Sequence, residues 1–383
     1  MIPYGKQDIN QQDIDAVIKV LTSDWLTQGP QVPLFEKALA DKCHAKHGIA
    51  VNSATSALHI ANLALGVKQG DIVWTSPITF VATANSALYC GASVDFVDID
   101  LNSGNMSIAA LKVKLQWAKQ HNCLPKVVIP VHLAGQSCDM EAIQQLAKEY
   151  DFSVIEDASH AVGGQYQGAP VGCCQYSDIT IFSFHPVKII TSAEGGMALT
   201  NNTEFAESMK LFRSHGITSQ SEKMTEPSHG PWYYQQIELG FNYRMTDLQA
   251  ALGLSQLSRI DGFIEKRNEL AKIYGAAFSG TKITPLLPER DRLSAYHLYL
   301  ILLPEADVEK HKQAIVALRE QGICAHVHYI PVHLQPYYQQ LGFESGDFPN
   351  AEQYYQRVIS LPLYPKLSSS DQSHIIEQVK ILS

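Results

Sequence analysis

Short apolar runs alternate along this chain with longer stretches in which apolar residues recur every three or four positions. "GIAVN" leads into "SATSALHIANLALG", "DIVWTS" into "FVATANSALYCG", "SVDFVDID" into "SIAALKVKLQWAKQH" and "KVVIPVHL" into "MEAIQQLAKEY", before "FSVIED" follows. The runs read as buried strands and the stretches as helices. The alternation therefore predicts βαβ units and a mostly parallel sheet covered on both faces. A helix should open the chain, with Ile14, Val17, Ile18 and Leu21 on one face. From Met245 to Tyr274 the pattern predicts one long helix, capped by Thr246. Beyond it, "YHLYLILLP", "DVEKHKQAIVALREQG", "ICAHVHYI" and two further helical segments predict a smaller α+β domain. The division expected is a large domain over residues 1–254 and a small one over 255–383. The polar stretch "TSQSEKMTEPSHGPWYYQQ" is expected to be a mobile loop.

With 383 residues, 45% of them hydrophobic, the chain can bury a core large enough for two domains. A formal net charge of −9, mixed in sign along the chain and without a basic run, argues against nucleic acid as the main partner. The start, "MIPYGKQDIN", has no signal-peptide core or Arg-rich pattern, and no apolar run is long enough to span a bilayer. Seven scattered cysteines without a C-x-x-C spacing suit reduced thiols, so a cytoplasmic location is expected.

In parallel sheets, ligands bind beyond the carboxyl ends of the strands, so the polar residues there carry the argument. "SFHPVKIITSAEGG" sets Lys188 among apolar neighbours. Its stem could lie on apolar surface with the ammonium in water, or the amine could be desolvated and neutral, as Schiff-base chemistry requires. Asp157 ends "FSVIED", where a buried carboxylate needs a partner: a helix N-terminus would serve, and so would a protonated pyridine nitrogen. Thr55 and Ser56 open the helix after the first strand, where hydroxyls and backbone N–H groups can either cap the helix or hold a phosphate. Phe80 lies just beyond the next strand and could stack on a planar ring or join the core. No G-x-G-x-x-G follows a strand and no P-loop occurs. His326, His328 and His333 lack a Cys or carboxylate to complete a ligand set, and no metal is expected.

Taken together, Thr55-Ser56, Phe80, "EDASHA" and "FSFHPVKIITSAEGG", with "WLTQGP" near the start and "GFNYRMTDLQAALG", "VHYIPVH" and "SLPLYP" later, resemble the DegT/DnrJ/EryC1/StrS family of sugar aminotransferases from end to end. The resemblance implies a fold-type I architecture and pyridoxal 5'-phosphate as cofactor. It implies that Lys188 carries the cofactor as a Schiff base, Asp157 pairs with its ring nitrogen, and His160 sits near its phenolic oxygen. Phe80 would stack on the ring, and Thr55, Ser56 and Ser183 would hold the phosphate. Asn242, with Arg244 as the other candidate, would reach the phosphate of a neighbouring subunit, which implies a homodimer with shared active sites. Lys6, Thr27, His185, Arg213, His328 and Tyr329 are the candidates for binding substrate.

Within the family, dehydratases replace the lysine by histidine. Lys188 is present, so transamination is implied. The substrate implied is a UDP-linked 4-keto-6-deoxy-hexose, specifically UDP-2-acetamido-2,6-dideoxy-β-L-arabino-hex-4-ulose on the route to pseudaminic acid, with L-glutamate as amino donor. Another nucleotide keto-sugar, such as the precursor of UDP-4-amino-arabinose, is the alternative. A non-catalytic regulator that binds pyridoxal phosphate or a nucleotide sugar is the alternative of a different class.

Overall fold

The structure is a computed structural model that describes residues 1–382. In chain order it begins with α1 (Gln11–Leu21), α2 (Gln31–Cys43), β1 (His47–Val51), α3 (Ala54–Ala64), β2 (Ile72–Thr75), α4 (Val81–Tyr89) and β3 (Ser93–Phe96). It continues through α5 (Ile108–Gln120), β4 (Val127–Ile129), α6 (Met140–Tyr150), β5 (Ser153–Asp157) and a small hairpin of β6 (Gln165–Tyr166) and β7 (Ala169–Pro170). Then come β8 (Ile179–Ser183), β9 (Gly196–Thr200), α7 (Thr203–Arg213), α8 (Asp247–Leu257) and α9 (Ile260–Phe278). The central sheet has the strand order β1-β9-β8-β5-β4-β2-β3. All its pairings are parallel except those of β9, which runs against both β1 and β8.

Side chains alternate across the sheet, so each strand feeds two cores. Val73, Val127, Ile129, Ile155, Ile179 and Ile181 pack beneath α3 and α4. On the other face, Trp74, Val128 and Val154 meet α5 and α6, while Phe182, Met197 and Leu199 meet α2 and the first half of α9. Strands buried on both sides explain the near-continuous apolar runs of the sequence.

The C-terminal portion is built on an antiparallel sheet of Thr284–Pro285, Tyr299–Leu302 and Val358–Leu361. Helix α9 joins the two portions: Ile260, Phe263 and Ile264 belong to the core of the large sheet, and Leu270, Ala271, Tyr274 and Phe278 to that of the small one. The first residues of the chain also lie on the C-terminal portion, where Ile2 bonds to Gly322 and Cys324, and the carbonyl of Tyr4 accepts from the amide of Leu363.

One sequence expectation needs correction. The helix expected from Met245 to Tyr274 breaks at Ser258–Arg259 into α8 and α9. There Arg259 turns aside to bind Asp8 and Asp13. The apolar face of α1 does not meet the core of its own chain. Ile14, Ile18 and Leu21 are exposed, whereas Asp13 and Val20 are buried. Asp13 can be buried because the Asn10 backbone N–H and the side chains of Ser255, Gln256 and Arg259 all donate to its carboxylate.

Candidate active site

The site forms where β5 and β8 end, on the sheet face covered by α3 and α4. Asp157 follows the alternation of Ile155 and so faces α4. There its Oδ2 accepts from the Thr83 hydroxyl at 2.6 Å, and its Oδ1 from the backbone N–H of Ser159 at 3.1 Å. Thr83 is itself held by Thr79 at 2.8 Å. Among the described residues no cation forms an ion pair with this buried carboxylate, so its negative charge awaits a partner.

Lys188 stands opposite, in the loop between β8 and β9. Antiparallel pairing ties the base of that loop, with Phe184 N–H donating to Gly195 O and Ser192 N–H to Phe184 O. A further bond from Lys188 N–H to His185 O forms a turn that sets the lysine between buried Phe184 and buried Ile189. Loss of hydration brings its pKa from 10.5 to about 8, although the charge of Asp157 works the other way. Among the described residues no oxygen accepts a hydrogen bond from Nζ. The side chain is half-buried, so it lies between the two readings the sequence left open, with its stem covered and burial lowering the pKa of its amine.

His160 is buried beside Asp157. Its Nδ1 accepts from Ala134 N–H at 3.2 Å, and its Nε2 lies 3.1 Å from the Tyr329 hydroxyl. Burial, followed by the charges of Lys188 and His328, pushes its pKa well below the usual value. His328 is held by Ser360 at 2.7 Å and is brought down to about 3, chiefly by burial. Phe80 ends the chain before α4 and is 60% exposed, its ring 6.5 Å from that of Tyr329. That exposure rules out the core reading and leaves an aromatic face open beside Asp157.

The positive end of α3 borders the same space. Ser53 caps it by accepting from Ser56 N–H, and the Ser56 hydroxyl donates to Asn52 at 2.7 Å. The Ser56 hydroxyl thus donates to Asn52 at the entrance to α3, while the cap itself is made by Ser53. The half-exposed hydroxyl of Thr55 has no protein partner among the described residues. Ser183 shares the face of Ile179 and Ile181 and is in register with Gly196. A Cβ on Gly196 would fall 2.5 Å from Ala54 N, so glycine alone lets β9 approach the end of α3 this closely.

These observations fit pyridoxal phosphate. An unpaired carboxylate, a half-buried amine, an exposed aromatic face and a glycine-lined helix N-terminus with spare hydroxyls match the charge and shape of its ring nitrogen, aldehyde, ring face and phosphate.

The remaining candidates divide. Tyr329 and His328 join the cluster. His185 is exposed at the mouth of the Lys188 loop, and exposed Lys6 adjoins Gly5, whose added Cβ would lie 3.9 Å from Val187 O. Thr27 is exposed and bridges to Thr246. Asn242 is exposed and Arg244 half-buried, on a segment that bridges to Ser214 and Val51 and whose Tyr243 carbonyl accepts from Asn52 N–H, at the entrance to α3. Arg213 binds Glu36 at 2.5 Å and the Ala50 carbonyl at 2.8 Å through Nη1, which ties it into the fold, while its buried Nε has no partner. His333 pairs with Glu352 at 3.0 Å, away from His328.

Three residues escaped the sequence reading. Thr83 was detectable, because a buried strand-end carboxylate needs a hydroxyl donor and "TFVAT" offers two. Tyr4, whose ring lies 5.4 Å and 5.3 Å from those of His326 and His328, and His297, 4.3 Å from His160, arrive from distant segments without a local signal.

A model of the DegT/DnrJ/EryC1/StrS aminotransferase family matches residues 7–380. The spore coat polysaccharide biosynthesis protein SpsC of Bacillus subtilis is 42% identical over 99% of this chain and 96% of its own. The UDP-4-amino-4,6-dideoxy-N-acetyl-β-L-altrosamine transaminase of Campylobacter jejuni is 40% identical over 97% and 94%. Among solved structures, Helicobacter pylori PseC, an aminotransferase involved in pseudaminic acid biosynthesis, superposes with a TM-score of 0.90 at 36% identity, covering 100% of this chain and 98% of that one. The putative sugar aminotransferase Spr1654 of Streptococcus pneumoniae, solved in its PMP-form, gives 0.92 at 30% identity, covering 100% and 99%.

Proposed function

The chain belongs to the DegT/DnrJ/EryC1/StrS aminotransferase family, and from that premise we propose that it aminates the 4-keto carbon of a UDP-linked 6-deoxy-hexose. The substrate is UDP-2-acetamido-2,6-dideoxy-β-L-arabino-hex-4-ulose, and the product is the 4-amino sugar for pseudaminic acid. The protein is a pyridoxal-phosphate-dependent nucleotide-sugar aminotransferase. The observation that carries the reading is the placement of Lys188, a half-buried amine whose pKa burial lowers, near Asp157, a buried carboxylate that has no cation among the described residues.

When bound, pyridoxal phosphate supplies a conjugated ring that takes up the electron pair left on carbon when a proton departs. The chain supplies everything else. Asp157, oriented by Thr83 and Ser159, holds a proton on the ring nitrogen. Lys188 would hold the cofactor covalently. Once displaced by the donor amine, its Nζ can take the α-proton of L-glutamate and later return a proton to the sugar's C4. A pKa near 8 keeps a useful fraction of the amine unprotonated at neutral pH. Phe80 covers one ring face. Thr55, Ser183 and the N-terminus of α3 hold the phosphate.

A second copy completes the assembly in this proposal. Exposed Ile14, Ile18, Leu21, Trp25 and Leu26, with Trp232 at 75% exposure, form apolar surface that a partner would cover. Asn242 or Arg244 would then serve the neighbouring phosphate. The enzyme would work as a cytoplasmic homodimer with L-glutamate as donor.

The test is to record the visible band of the purified protein, add L-glutamate, and then supply the keto-sugar. Loss of the band with glutamate and its return with this keto-sugar support the proposal. A band that glutamate does not change overturns the donor. Return of the band only with the precursor of UDP-4-amino-arabinose overturns the sugar. For the dimer, mixing Lys188→Ala with a chain altered at both Asn242 and Arg244 should restore activity through hybrid dimers. Failure of every mixture to recover activity would refute shared sites.

A further inference from the structure

Behind His160 lies a group the reaction described above does not use. His297 is 4% exposed, its ring centroid is 4.3 Å from that of His160 at a tilt of 50°, and its Nδ1 has no hydrogen-bond partner. A buried polar atom left unpaired is rare and is retained at a cost, so its presence asks for a reason. Behind His297 sits Arg267, 2% exposed, with no ion pair to a carboxylate among the described residues. Its Nη1 donates to the carbonyls of Tyr296, His297 and Leu363 at 3.0, 3.3 and 2.9 Å.

The same segment grips the turn that orients His160. Ala295 N–H donates to Gly135 O and Leu298 N–H to Ala134 O, while Ala134 N–H donates to His160 Nδ1. The fit is close, since a Cβ on Gly135 would fall 2.7 Å from Tyr296 N and 3.0 Å from His160 O. Because His160 Nδ1 is an acceptor, the ring's proton must sit on Nε2, which points toward Tyr329 and the cofactor site.

We infer that His297, backed by Arg267, is a positioning residue that fixes the ring of His160 in the neutral Nε2–H tautomer aimed at the cofactor. This deepens the aminotransferase reading and rests on it for the identity of the cofactor. The charged and titratable groups around His160 agree in their effect. Burial, Lys188 and His328 disfavour a second proton on His160, His160 in turn disfavours protonation of His297, and Tyr329 stays a neutral phenol because burial raises its pKa. Arg267 adds a fixed positive charge behind His297 and disfavours its protonation as well. The arrangement ties the C-terminal portion, through α9, to the orientation of one ring in the large one.

The test is long-range proton–nitrogen correlation of histidine side chains in the full chain, with and without cofactor. In the wild type, His160 should show a protonated Nε2 and an unprotonated Nδ1 across about pH 6 to 9. His297→Leu should lose that single-tautomer signature and release cofactor faster on dialysis. His297→Phe, which keeps a ring against His160, should restore both. An unchanged His160 signature in His297→Leu overturns the inference. Should that variant fail to fold, the wild type still decides, because a His160 that carries its proton on Nδ1 or gains a second one in this range refutes it. The spectra of the cofactor-free chain do not depend on turnover. A correct signature in a chain without transaminase activity would therefore sink the functional reading and leave this inference standing.

Discussion

Glu156 and Asp157 are neighbours on one strand, and alternation sends their carboxylates to opposite faces of the sheet. Glu156 is saturated. His132 donates to it at 2.7 Å, Thr180 at 3.0 Å, and Ser177 also binds it, while Cys138 N–H fixes the other nitrogen of His132. Burial acts to raise its pKa, but these hydrogen bonds outweigh burial and hold it below the usual carboxylate value. Asp157 has a hydroxyl and one backbone N–H, and faces an amine that does not reach it. Both are buried to the same degree, at 5% exposure, so burial does not separate structure from function. What separates them is whether the protein has used up the group's valences.

The contrast can be broken at either face. On the open face, Lys188→Ala should lower turnover roughly 100- to 10,000-fold while leaving the melting temperature of the cofactor-free chain unchanged or raised. On the closed face, Glu156→Ala strands His132 and should cost about 3–5 kcal/mol in urea unfolding, with little effect on turnover of the folded fraction. Asp157→Asn keeps the shape and should lower kcat on the order of 100-fold with small loss of stability. Thr83→Val removes one charge-assisted bond and should lower kcat/KM by about 10-fold, the equivalent of about 1.4 kcal/mol.

Stability against pH sharpens the same contrast. Lys188 is lowered in the folded chain, so above about 8 the folded state has shed a proton that the unfolded state keeps. The cost of burying its charge is fully present below about 8 and is relieved as pH rises toward 10.5. Glu156 is lowered too, but as an acid: its contribution is present above 4.5 and disappears as pH falls through its folded value. Urea titrations of the cofactor-free chain should therefore show an alkaline gain that Lys188→Met removes, and an acid loss that Glu156→Gln removes.

The strand-and-helix alternation was readable because strands buried on both faces leave unbroken apolar runs. Lys188, Asp157, Phe80 and His160 could be singled out because they stand at or shortly after strand ends, where the topology gathers polar groups. The bond of Arg213 to Glu36 was not readable, because the two lie far apart in sequence and no local pattern records the pairing. The bond of Ser56 to Asn52 was equally hidden, because a hydroxyl at a helix start serves a neighbouring side chain and a phosphate equally well. The face of α1 was recognised as apolar, but periodicity does not say what covers it. In this chain the buried side belongs to Asp13. His297 and Tyr4 lay beyond reach, since their meaning comes from rings brought together across the whole fold.

Strand β9 runs against its neighbours, and its effect is to return the chain at once from β8 instead of sending it through a helix. Lys188 therefore rides in a loop pinned at both ends, between Phe184 and Gly195. Were the backbone cut within this loop, every strand could still find its neighbour. The span that holds the amine opposite Asp157 would then have two loose tips. A chain nicked there should keep its Asp157–Thr83 bond and lose the fixed reach of Lys188, so in this hairpin the continuity of the chain itself sets where the amine stands.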